Sequence, residues 1–193
     1  MRREVHVKPQ MNPDVRMDKR KPPQSAVPDD IVPTLLDLMN ALRSTNGVRR
    51  QSARHELVSI GRQAVPFLVG ALLDADFRVR WEAAKALGSI ADPRSGPGLV
   101  RALRDDCLEV QWLAAEGLIA LGKSAILPLL KALRDDSDSI LLRQGAHHVL
   151  HDLERKHLLD EKTAYVLETL RSLEPETLVA VAAHHALASR GES

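Results

Sequence analysis

Four stretches of this chain align with one another without gaps, and a repeat of that length constrains the fold more than any single motif. They begin at Arg49, Val79, Val110 and Leu142, with starts 30, 31 and 32 residues apart. The second and third read Val79-Arg80-Trp81-Glu82-Ala83-Ala84-Lys85-Ala86-Leu87 and Val110-Gln111-Trp112-Leu113-Ala114-Ala115-Glu116-Gly117-Leu118. Apolar residues recur at offsets 0, 4, 8 and 11 from each start, one face of a 3.6-residue helix. Only Arg49 departs from the pattern, and Val48 is expected to slide into its place. Ala53, Ala83, Ala114 and Ala146 share one offset, where a small side chain lets a neighbouring helix come close.

A second apolar stretch follows each of the first three: Ala64–Leu72, Gly96–Leu103 and Ile126–Leu133. Pro66, Pro97 and Pro128 fall early in them, where a missing backbone donor does least harm. Ile31–Leu42 has the same form and reads as an unpaired second helix at the front, while Lys162–Leu173 and Glu176–Leu187 continue the helical pattern at the back. The expected fold is all-α: a right-handed α-α solenoid of about five helical hairpins over residues 30–193, with atypical terminal units because they face water on one side. Residues 1–29 are expected to be an extended or disordered arm, since five prolines in 1–28 suit neither a long helix nor a central strand.

The pattern Val-Arg-x-x-Ala-Ala-x-x-Leu-Gly at Val79–Gly88, with the Leu-Asp-Ala-Asp and Leu-Arg-Asp-Asp turns before such segments, resembles the HEAT-repeat family, in particular the short subtype named after phycobilisome lyases. The resemblance covers roughly residues 31–173. It implies a curved platform for other proteins, and it also admits bilin lyases, a di-iron deoxyhypusine hydroxylase and DNA glycosylases as relatives. His55-Glu56 is similar to the metal-binding dipeptide of the hydroxylase, but the matching positions are Lys85-Ala86, Glu116-Gly117 and His148-Val149, so the di-iron reading fails. In such repeats the turn aspartate caps or bridges the turn, and the arginine six residues on reaches it or its neighbour in the stack. Asp74 with Arg80, Asp105 with Gln111, and Asp135 and Asp136 with Arg143 are the instances here. Gln111 removes the charge from this ladder, Ser44 replaces its first aspartate, and the edge repeats are expected to be looser.

Other chemistry finds little support. His147, His148 and His151 share a helix and His184-His185 another, a spacing from which helical metal sites begin, but no carboxylate is obviously placed to complete one, and no cofactor or metal is expected. Cys107, the single cysteine, allows no internal disulfide, and Asp105 and Asp106 beside it would raise a thiol pKa. Gly96-Pro97-Gly98 puts proline where a phosphate loop wants a donor. No apolar stretch is expected to approach the ~20 residues of a membrane span. Met1–Val5 leads into no apolar run, so no secretory leader is expected, and a cytoplasmic setting is the default.

Three sets of residues are candidates for partner binding. Trp81 and Trp112 hold the same offset in adjacent repeats, about 200° around the helix from the first core position, and Ile119 falls near them. Either they pack at the seam between first helices, with Gly88 making room, or they form a half-exposed aromatic strip. Arg101, Arg104, Lys131 and Arg134 hold equivalent places on successive second helices, a basic ladder suited to a protein with an acidic surface. The arm is the third set: residues 1–28 carry a net +4, through Arg2, Arg3, Lys19, Arg20, Lys21 and two further cations, while the remainder carries −3. The function expected is a non-catalytic scaffold, adaptor or accessory subunit of a larger assembly that binds protein. The alternatives are a bilin-lyase-like enzyme or enzyme partner and a nucleic-acid-binding protein.

Overall fold

Each repeat becomes a helical hairpin in the computed structural model, which describes residues 31–172 and 175–192. The arm expected over residues 1–29, with Arg2, Arg3, Lys19, Arg20 and Lys21, lies outside the described residues. The described residues form α1 (Val32–Ala41), α2 (Gly47–Ile60), α3 (Val65–Ala71), α4 (Phe77–Ile90), α5 (Gly96–Ala102), α6 (Leu108–Leu121), α7 (Ile126–Asp135), α8 (Ile140–Arg155), α9 (Glu161–Thr169) and α10 (Pro175–Ala188), and no strand.

Local chemistry sets the helix ends. Asn46, Asp76, Ser139 and Asp160 accept backbone N–H groups at the starts of α2, α4, α8 and α9, which satisfies donors that have no partner within the helix. Proline occupies the first or second position of α1, α3 and α5. Gly61 at φ 69 and Gly122 at φ 58 stop α2 and α6 in a conformation that side chains disfavour.

The helices stack in two rows. First helices α2, α4, α6 and α8 pack side by side, and α1, α3, α5 and α7 lie behind them. The core between the rows is the set of offsets read from the repeat: Val79, Ala83, Leu87, Val110, Ala114, Leu118, Leu142, Ala146 and Leu150 are all fully buried. Each buried leucine contributes about 1.5–3 kcal/mol through removal of its side chain from water. In the first repeat Val48 does not replace Arg49: it is 73% exposed, because Asn46 caps the helix just before it and leaves Val48 in the open first turn.

The seam between α4 and α6 is the tightest. A Cβ built on Gly88 would lie 3.3 Å from the Cα of Gly117, so two helix backbones meet there. Gly88 therefore makes room for the neighbouring backbone and not for a tryptophan ring. Gly145 does similar work one repeat on, where a Cβ would come within 2.8 Å of Leu103.

One feature departs from the sequence reading, and one placement is not given by it. Leu108–Asp135 is, by length and composition, apolar enough to cross a membrane, contrary to expectation. The chain turns at Gly122, dividing this run into α6 and α7, and half of its most apolar part is buried in the protein. It is apolar because both helices contribute to the core. At the back, α10 and not α9 takes the place beside α7, with α9 packed against α8 and α10. The face Val179, Ala182, Ala183, Ala186 and Leu187 is buried there, and its alanines permit close approach. Lys131 holds Glu192 at 2.8 Å, and Arg190 reaches Asp160 and Thr163, so the chain end is pinned to α7 and α9.

These seams set an expectation for substitutions. Gly88→Leu should push α4 from α6 and cost roughly 1–3 kcal/mol, lowering the thermal melting point. Gly70→Ala, with nothing within 4 Å of its new Cβ, should instead raise stability by up to about 1 kcal/mol. Parallel melting curves for the two variants check the seam.

Candidate protein-binding surfaces

The turn ladder is structural. Arg50, Arg80, Gln111 and Arg143 each donate to the backbone carbonyl six residues earlier: Ser44, Asp74, Asp105 and Ser137. The side chains of Ser44, Asp74 and Asp105 accept the N–H two residues on, at 3.2, 3.0 and 2.9 Å. Ser44 and Gln111 therefore keep the turn closed, and the ladder is not broken where its charge is lost. Asp135 and Asp136 are not the partners of Arg143, because the longer loop brings Ser137 to that place; Arg143 instead lies 3.5 Å from Glu176.

Carboxylates join successive repeats. Arg43 reaches Asp74 at 2.5 Å. Arg80 grips Asp105 with two bonds of 2.7 and 2.8 Å and also reaches Asp106. Arg104 reaches Asp136. A buried pair lies deeper between α2 and α4, where Arg54 donates to Glu82 at 2.6 Å. Glu82 shares its offset with Ser52, Leu113 and Gly145, so nothing at that place in the other repeats announced a buried charge.

This pairing changes the reading of the second-helix ladder. Arg104 is held by Asp136, Lys131 by Glu192, and Arg134 by Asp135 at 2.7 Å. Only Arg101 of the four makes no ion pair among the described residues, and it is exposed. Arg101, Arg104 and Lys131 line an open groove of about 550 Å³ between α5 and α7, floored by Pro97, Val100, Leu127 and Pro128. Its positive charge is largely answered by the protein's own carboxylates.

The first-helix face is different. Trp81 is half-buried, with Lys85 Nζ 4.6 Å and the Arg54 guanidinium 5.7 Å from its ring centre. Trp112 is 57% exposed, and the His148 ring lies 5.1 Å from it. Ile119 is half-buried and packs on the core. Beside the tryptophans stand apolar residues that periodicity missed: Phe77, Leu108 and Ile140, exposed by 51%, 72% and 61%. They share one place in three successive repeats, two residues before each start, and Phe77 and Leu108 lie four residues before the tryptophans. A helix brings residues four apart onto one face, so Phe77 joins Trp81 on α4 and Leu108 joins Trp112 on α6; Trp81, Leu108 and Trp112 line one hollow, and Ile140 holds the same place on α8. Two hollows flank this row. One of about 570 Å³ holds Phe77 and Trp81 with Arg50, Arg78 and Lys85. The other, about 700 Å³, is lined by Trp81, Leu108, Trp112, Gln144 and His148. The signal that could have found the row is the helix start itself, since a residue in the first turn lies outside the stripe of offsets 0, 4, 8 and 11.

The histidines take ordinary places. His147 stacks on His151 at 6.0 Å and meets Arg171, and burial together with these cations pushes its pKa down. His148 lies 3.5 Å from Glu116. Among the described residues no three His, Cys, Asp or Glu side chains gather into a group that could hold a metal. The Cys107 thiol donates to Glu109 at 3.0 Å, and that contact, before burial, raises its pKa; the carboxylate responsible is Glu109 and not Asp105 or Asp106.

The match to a family model agrees with this architecture. A family model described as HEAT repeats matches residues 32–118, which supports a HEAT-repeat family for a chain that is an all-α solenoid. No curated protein matches the chain. Among solved structures, the crystal structure of an engineered protein from a structural genomics consortium is 22% identical over 80% of this chain and 78% of its own, with a TM-score of 0.42. HEAT repeats generally mediate protein–protein interaction.

The turn chemistry predicts a response to acid. Asp76 bonds the side chain and N–H of Arg78 and is lowered to about 2, and Asp105 is also lowered, through Arg80 and the Cys107 N–H working against burial. A carboxylate with a depressed folded pKa contributes stability that is complete above its unfolded value, near pH 4, and is lost as pH falls through the folded one. Melting temperature should thus fall between pH 4 and 2. Arg80→Ala should cost roughly 3 kcal/mol at neutral pH by leaving Asp105 unpaired, and it should flatten part of the acid response. Denaturant melts of both proteins at pH 7 and pH 3 test this.

Proposed function

We propose that the chain is a non-catalytic protein-binding module, an adaptor or accessory subunit of a larger assembly, and that the first-helix face receives the partner. The observation that carries this is the row of Phe77, Trp81, Leu108, Trp112 and Ile140, repeated at equivalent positions and largely open to water. Tryptophan is enriched among the few residues that carry most of the binding energy at protein interfaces, and apolar residues gathered on a folded surface mark an interaction site. A cytoplasmic setting belongs to the same proposal, in keeping with a single cysteine.

The rival readings have less support. A protein with an acidic surface, set against the second-helix ladder, would have to displace Asp136, Glu192 and Asp135 from three of its four cations. Nucleic acid, drawn to unpaired cations, meets the same obstacle. A bilin-lyase-like activity would need a tetrapyrrole-sized cleft, and the hollows described above are open troughs.

Photo-crosslinking tests the reading. A photoreactive residue at position 112 should capture a discrete protein in the producing cell, and the same residue at position 101 should not. Leu108→Asp should abolish the adduct while leaving the melting curve unchanged within about 0.5 kcal/mol, as befits an exposed site. Equal capture from positions 112 and 101, or capture unaffected by Leu108→Asp, would overturn it.

A further inference from the structure

The charges beside the apolar row reverse sign between adjacent repeats. Arg78 and Lys85 stand one residue before and six residues after Val79, and Glu109 and Glu116 hold the same two places around Val110. Residues seven apart share a helix face. So α4 presents two cations flanking Phe77 and Trp81, and α6 presents two carboxylates flanking Leu108 and Trp112. Lys85, Glu109 and Glu116 are exposed. The two helices run parallel and nearly in register: Gly88, nine residues beyond its start, meets Gly117, seven beyond its own, a slip of about 3 Å at 1.5 Å per residue.

Resting on the protein-binding reading above, we propose that the partner of this face is a second copy of the chain, paired about a two-fold axis that runs parallel to α4 and α6 and between them. Rotation about that axis leaves height along the helices unchanged and exchanges α4 with α6. Lys85 then meets Glu116 of the second copy, and Glu116 meets its Lys85. Trp81 lies over Trp112, and Phe77 over Leu108, each pair formed twice. An in-plane axis across the helices would set α4 on α4 and α6 on α6, like charge on like. The charge pattern therefore selects one two-fold arrangement and opposes the other.

The contact energy comes from the aromatic and aliphatic row, with the charges fixing orientation. Lys85 and Glu116 are the pair that matters most, because Arg78 is engaged with its cap Asp76 at 2.7 Å and Glu109 accepts the Cys107 thiol. Lys85 lies over Trp81, and Glu116 lies beside His148, so each is already held at the rim of the row. Four first helices side by side present a face about 20 Å long and 40 Å wide. That leaves room for a contact on the order of 800 Å² per copy, the size of an ordinary stable interface.

Analytical ultracentrifugation of the full chain tests the proposal. The wild type should sediment at twice 21.3 kDa over the range from about 1 to about 100 µM. Lys85→Glu alone sets carboxylate against carboxylate at both contacts, and Glu116→Lys alone sets ammonium against ammonium, so each variant should dimerise at least tenfold more weakly, about 1.4 kcal/mol. Mixed in equal amounts, the two variants should form a heterodimer near wild-type strength, because both contacts then join opposite charges. Both residues are exposed, and melting curves verify that each variant is folded. A monomeric wild type, or a mixture that shows no heterodimer, overturns the second copy as partner. A position-112 adduct with a different protein, alongside a monomeric wild type, leaves the protein-binding reading standing and removes only this one.

Discussion

Close approach of the first helices is the constraint on which the rest of this structure depends. No single hairpin of about 30 residues can bury both of its faces, so each must lend its outer side to the next. That is feasible only where side chains are small: Ala83, Ala114 and Ala146 at the shared offset, and Gly88 against Gly117, where the helix backbones nearly touch. Larger residues there would widen the seam and open voids beneath Leu87 and Leu118, whose burial holds the rows together. Stability accumulates through these nearest-neighbour seams, and the chain can dispense with a large aromatic core.

Close stacking in turn brings the turns of successive repeats together, and this explains where the charges go. Arginines that reach back to their own turn carbonyls also meet the next repeat's carboxylate, as Arg80 does with Asp105. The pairing uses most of the cations on the turn and second-helix side. What is left open is the first-helix face, where apolar residues stand at the helix starts. Interior demands and surface character are thus linked: the repeat that builds the core also repeats whatever stands on the opposite face.

Helices were legible in the sequence to within a few residues, because periodicity, early prolines and caps all mark the same boundaries. The offsets of the core were legible too, since packing repeats with the sequence. Pairing was not. Lys131 and Glu192 are 61 residues apart, and nothing local indicates that α10 will lie beside α7. The burial of Glu82 was not legible because its partner Arg54 comes from another repeat. Phe77, Leu108 and Ile140 were missed for a different reason: they sit in the first turn, where a capping residue and not the apolar stripe decides which way the chain faces.

A solenoid with identical repeats has a difficulty with its own surface. If every first helix carried the same apolar and charged residues, two copies could slide past each other by one repeat with little loss, and the contact would run on without closing. Opposite charges at equivalent positions remove that freedom. Lys85 and Glu116 differ in sign while Trp81 and Trp112 are the same, so the apolar row supplies adhesion in any register and the charges admit only one. A like-charged row would repel a second copy, and an uncharged one would leave the register unspecified. The reversal from α4 to α6 is therefore the feature that turns a sticky repeated surface into a closed, two-fold contact.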